Sequence, residues 1–202
     1  KLIGIVILFI AGKSYGFSLT EIGFVKGRVL RSLSKGVIFG LCIFVLAYAA
    51  EIMIILMQGK LEALDLYVSA YSVNGAVGAQ TGILFFAICI AGNIINVIME
   101  EGIFRGLFQK MLEKKYSFLP SAVIGSVLFG LWHVMAPARS YYDGAMSLNG
   151  FIANAILLSV TSGLVGFQFA LITKLTGNLY MAMGYHFVNN TIVNMLHVVS
   201  ST

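Results

Sequence analysis

The chain has 202 residues, with 13 Lys and Arg against 8 Asp and Glu for a net charge of +5, and is 59% hydrophobic but only 10% charged. Such a composition, with a mean hydropathy of +0.93, lies far from the roughly 25% charged residues of a soluble domain. It excludes a water-soluble globular protein and predicts an all-α, polytopic bundle of about six transmembrane helices. The basic residues fall in loops between apolar runs, as membrane orientation requires, so the positive balance does not indicate nucleic acid. No Pro-rich or Ser-rich linker divides the chain, which reads as a single membrane-embedded domain over residues 1–202. Cys42 and Cys89 both sit inside apolar segments, with neither disulfide nor metal spacing, and are expected to be buried and inert.

In chain order, residues 2–12 read as the tail of a first span, truncated at a boundary upstream of Lys1. Residues 13–35 carry Lys13, Lys26, Arg28, Arg31 and Lys35 and are expected on the cytoplasmic side. Residues 36–57 are long enough to cross a hydrocarbon core that needs about 20 residues, and contain Glu51, expected as a partly buried carboxylate near the outer end or, alternatively, as a substrate or gating contact. Residues 58–81 read as an outer polar loop, with Tyr67 and Tyr71 resting in the interface. The third span covers residues 82–108 and ends in a loop with Lys110, Lys114 and Lys115. The fourth covers 119–135, with Pro120 tolerated in its first turn, and 136–150 form the next outer loop. The fifth span covers 151–173, an inner turn follows at 174–178, and the sixth covers 179–199.

One stretch breaks the apolar pattern. In NVIMEEGIFRGLFQ, residues 96–109, two adjacent carboxylates and an arginine stand inside the third span. A charge at the centre of a membrane helix costs roughly 2.5–3.5 kcal/mol or more, so such groups are paired, face the bundle and mark function. Glu101 and Arg105 are four apart and are expected to pair. Glu100 points elsewhere, without a local partner, on a face shared with Asn93, Asn96 and Phe104.

Two further polar clusters complement it. FGLWH puts Phe129 and His133 on one face of the fourth span, and HFVNN puts His186 and Asn190 on one face of the sixth, a stripe that Asn194 and His197 extend. Glu100 and His133 are equally far from the midpoint of their hairpin, so antiparallel packing brings them to one depth. His186 and Asn190 are expected at that depth too, around one water-accessible cavity. A carboxylate, two imidazoles and an amide together suit activation of water and stabilisation of an oxyanion. There is no HExxH motif and no Ser and His paired as a serine hydrolase requires, and a zinc ion is possible at these residues without being required.

At these residues the chain resembles the CPBP family, the CAAX-protease and bacteriocin-processing (Abi) intramembrane endopeptidases. Its motif EExxxR reads here as Glu100, Glu101 and Arg105; FxxxH as Phe129 and His133; HxxxN as His186 and Asn190. Gly106 and the TGNL of residues 176–179 fit the same pattern, and the resemblance covers residues 84–195, the expected protease core. It implies hydrolysis of a peptide bond in a membrane-associated or small exported peptide or protein substrate, in a multi-pass protein of the bacterial plasma membrane. Glu100 would activate water, His133 would help hold it, and His186 with Asn190 would stabilise the oxyanion. Glu101, Arg105 and Phe129 would support them. No cofactor is expected, with Zn2+ held by Glu100, His133 and His186 as the metal alternative. The partners implied are the substrate and the lipid bilayer. The alternative of another class is a non-enzymatic bacteriocin self-immunity or scaffold protein, and a transporter is disfavoured because repeated broken helices are not evident.

Overall fold

The computed structural model describes residues 1–69 and 79–201, so the interfacial Tyr71 lies outside the described residues. Helix α1 (Leu2–Ser14) is followed by α2 (Val29–Met57) and strand β1 (Leu61–Leu66). Helix α3 (Ile83–Glu101) runs without a break through a π-helical segment (Gly102–Phe108) into α4 (Gln109–Glu113). Then come α5 (Phe118–Trp132), α6 (Met135–Tyr142), α7 (Leu148–Thr176), α8 (Tyr180–Met195) and strand β2 (Leu196–Ser200).

This is a helical membrane protein. Four stretches, Val29–Met57, Ile83–Glu113, Phe118–Tyr142 and Leu148–Thr176, are long and apolar enough to cross a bilayer. They are flanked by the shorter α1 of 13 residues and α8 of 16. α2 shows most of its apolar side chains outward, Ile38, Val45, Leu46 and Met53 among them, which in lipid costs nothing. The helices instead meet through small residues, the usual membrane device where no hydrophobic gain separates helix from lipid. A Cβ on Gly36 of α2 would collide with the Met181 carbonyl of α8, and one on Gly130 of α5 with the Ser159 carbonyl of α7. The backbones therefore approach too closely for a side chain.

The expected basic loops gather at one end of the bundle. Lys114 Nζ donates to the Tyr15 carbonyl, Arg28 to the Thr176 carbonyl, and the Leu179 amide to the Gly23 carbonyl. The TGNL turn closes α7 there: Gly177 adopts a left-handed φ of 66°. The Asn178 side chain donates to the Thr176 carbonyl and accepts from the Tyr180 amide, so it ends one helix and starts the next.

Several expectations are corrected. The outer loop at 58–81 contains β1, which pairs antiparallel with β2, so the sixth span ends as a helix at Met195 rather than Val199. His197 consequently leaves the helical stripe; it stacks on Tyr67 at 3.9 Å and its Nε2–H donates to the Tyr67 carbonyl. The loop at 136–150 holds α6, and α2 begins early enough to include Arg31 and Lys35. Glu51 is exposed rather than partly buried. Cys89 is buried, but Cys42 is exposed on the outward face of α2.

Candidate active site

The polar stripe of α3 faces α8. Asn93 donates to Thr191 Oγ1 at 3.3 Å and accepts from the Asn194 side chain at 3.3 Å. Two turns further the stripe reaches Glu100 and Glu101, with relative exposures of 3% and 0%.

The two carboxylates have different neighbours. Glu101 Oε1 lies 3.3 Å from Arg105 NH1, the expected pair, and accepts a 2.8 Å hydrogen bond from His186 Nδ1–H. The π-helical segment begins immediately after Glu101. Its hydrogen bonds close five residues back rather than four, which brings residues four to five apart into line and stacks Arg105 under Glu101. Gly106 keeps this segment against the loop after α1: a Cβ there would stand 2.7 Å from the Ile22 carbonyl.

Arg105 is 3% exposed. Its Nε donates to the Gly166 carbonyl at 3.4 Å, and its guanidinium lies 4.0 Å from the Phe129 ring centroid and 5.2 Å from that of Phe169. Weakly hydrated, planar guanidinium is suited to such aromatic seats. Phe129 thus works on two sides. Its ring faces Arg105, and its carbonyl accepts from His133 Nδ1–H at 2.8 Å, which leaves His133 Nε2 as the lone-pair nitrogen.

Glu100, expected without a local partner, has two that the sequence did not indicate. Lys1 Nζ and Trp132 Nε1 both donate to its Oε1, at 3.0 and 3.1 Å. Trp132 precedes His133, so the hairpin levels are those expected. Glu100 Oε2 has no hydrogen-bond partner among the described residues and lies 3.6 Å from His186 Nε2, beyond hydrogen-bond range. Glu100 also sits within electrostatic reach of His133.

A half-open cleft of about 300 Å³ is lined by Phe129, His133, Phe169, His186, Asn189 and Asn190, among others. The structure therefore brings His133, His186 and Asn190 to one water-accessible space. Glu100 is not part of its lining, a correction to the expected arrangement; it lies behind His186. Phe169, which stacks on the His186 ring at 4.8 Å, was not legible from sequence, since nothing distinguishes it within an apolar run. Trp132 had the weak signal of standing inside FGLWH. Among the described residues no three His, Cys, Asp or Glu side chains converge as a metal would require, so Glu100, His133 and His186 do not form the alternative ligand set in this arrangement.

A buried carboxylate with one free oxygen, two oriented imidazoles and an amide beside a cleft can accept a proton from water and donate to a carbonyl oxygen. Comparison with curated proteins and with solved structures found no match. Residues 81–192, more than half of the chain, match the family described as type II CAAX prenyl endopeptidase Rce1-like, and the chain belongs to that peptidase family.

Proposed function

We propose that the protein is an intramembrane endopeptidase that cleaves a membrane-associated or small exported peptide or protein by glutamate-activated water, in one membrane-embedded domain with its core at residues 84–195. Glu100 Oε2 takes the proton of a water that His133 Nε2 helps to hold. His186 and Asn190 face the carbonyl oxygen as charge develops on it. Phe129, Glu101 and Arg105 keep the histidines and the helix in register. The plasma membrane of a bacterium, with the basic end of the bundle inside, is the setting that fits its charge distribution.

The observation that carries this reading is the convergence of His133, His186 and Asn190 on one cleft with Glu100 Oε2 3.6 Å from His186 Nε2. The test is mass spectrometry of membrane peptides from cells with wild-type protein and with Glu100→Gln. Peptides that appear with the wild type and vanish with the variant, at equal protein levels, support hydrolysis. Identical peptide profiles would make the polar cluster a packing device.

A further inference from the structure

A second polar cavity of about 260 Å³ lies at the basic end of the bundle, enclosed by the loop after α1, the π-helical segment with α4, α5 and α7. Arg105 and Thr173 line it, with Lys110 and Lys174. Both terminal nitrogens of Arg105 are buried without a hydrogen-bond acceptor among the described residues, since the 3.3 Å approach of NH1 to Glu101 is an ion pair without hydrogen-bond alignment. The Thr173 hydroxyl is likewise buried and unpaired. Buried polar groups in native proteins are nearly always hydrogen-bonded, and an unmet guanidinium donor is among the costliest exceptions. Both unmet groups belong to the lining of one cavity.

The cavity lining carries three cationic side chains, one of them (Arg105) ion-paired with Glu101, against two carboxylates. Glu21 and Glu113 also line it, but each is already satisfied. Ser18 gives Glu21 hydrogen bonds from its hydroxyl and its amide, which hold that carboxyl below its usual range. Glu113 accepts from Gln109 and from Lys110, each at 2.8 Å. Lys174, exposed and lying over the Phe118 ring, is within electrostatic reach of Glu113 but forms no hydrogen bond to it. The unspent capacity is therefore donor capacity: two guanidinium nitrogens, an ammonium and a hydroxyl.

We propose that this cavity binds a phosphate group, through Arg105 and Thr173 at its floor and Lys174 at its mouth. Guanidinium and hydroxyl donors match phosphate oxygens. Basic pockets between transmembrane helices near the inner surface are places where anionic lipid headgroups lodge. The phosphate comes either from such a headgroup or from solution. It shares Arg105 with Glu101, and Glu101 holds His186, so the cavity is joined to the histidine by two contacts.

The test uses the full chain purified in detergent free of phosphate. In one arm inorganic phosphate is titrated at constant ionic strength and the melting temperature followed; in the other, phosphatidic acid or phosphatidylcholine is added and retained lipid is read by native mass spectrometry. Stabilisation by inorganic phosphate identifies the soluble source, and selective retention of phosphatidic acid the lipid source. Lys174→Gln and Thr173→Val should each weaken the responding arm by about tenfold, the loss expected of one charge-assisted hydrogen bond. Without phosphate, Thr173→Val should melt at or above wild type, because it removes an unpaired buried hydroxyl. No response in either arm, or an equal response in wild type and both variants, overturns the proposal.

Discussion

Glu100 and Glu101 are adjacent in sequence and nearly equal in burial, yet they belong to two different regions of the molecule. Glu101 looks toward the basic end, held by the His186 Nδ1 hydrogen bond and by Arg105, whose guanidinium is itself seated against the Phe129 and Phe169 rings. Glu100 looks the other way. Its hydrogen-bond partners are Trp132 and Lys1, the latter 39% exposed at its side chain, and its other oxygen has no hydrogen bond, only His186 Nε2 at 3.6 Å. On the proposed function, one carboxylate of this membrane helix secures the fold while its neighbour serves the chemistry. The difference comes from the 100° rotation between successive residues: both carboxylates approach His186, but only Glu100 also meets Trp132 of α5 and Lys1.

The largest expected effect tests that division directly. Glu100→Gln should lower cleavage by roughly 10²–10⁴-fold, the range of a lost general base, with a melting temperature close to wild type. Glu101→Gln should instead lower the melting temperature, because Arg105 loses its counter-charge and His186 its anchor. If Glu101→Gln abolished cleavage in a protein that melts normally while Glu100→Gln stayed active, the roles would have to be exchanged.

Next in size is Arg105→Ala. Removing one partner of a buried ion pair typically costs about 3–5 kcal/mol, and here it also empties the seat between the Phe129 and Phe169 rings. Detergent melting curves and expression yield should both fall, and activity should fall with them. A variant that melts like wild type would show that Glu101 finds another partner.

Lys1→Gln sharpens the comparison from the other side. The ammonium is more than a third exposed, so its ion pair is worth at most about 1 kcal/mol, and Trp132 still donates to the same oxygen. We expect little change in melting and a loss of only a few-fold in cleavage. A loss as large as that of Glu100→Gln would make Lys1 a part of the reaction.

The smallest effect is expected from chelation. A hydrolytic zinc keeps three protein ligands and leaves a further group as base, and drafting Glu100 as a ligand would remove the base. Purified active protein should therefore keep its cleavage rate after chelation, and elemental analysis should find no stoichiometric metal. Activity lost on chelation and restored by zinc would replace the water mechanism while retaining the same residues.

The sequence alone determined that this is a helical membrane protein, because long apolar runs can be satisfied in lipid only by helices or closed barrels. It also determined which residues lie outside that logic. Glu100, Glu101, Arg105, His133, His186 and Asn190 stand out because each is costly in an apolar setting, and the pairing of Glu101 with Arg105 follows from their four-residue spacing within one helix. Only the tertiary structure decided the contacts between helices. Helical spacing specifies a face but not the neighbour that it meets, so it could not show that His186 bonds to Glu101 rather than Glu100, that Lys1 and Trp132 share a Glu100 oxygen, or that Phe169 stacks on His186. The β1–β2 pairing was hidden for the same reason: the last apolar residues suit a helix or a strand, and the choice was made by a partner more than 130 positions away in the chain, where Leu61 faces Ser200. The π-helical segment, finally, depends on where α1 and the loop after it press on Gly102 and Gly106, a close approach that no local pattern records.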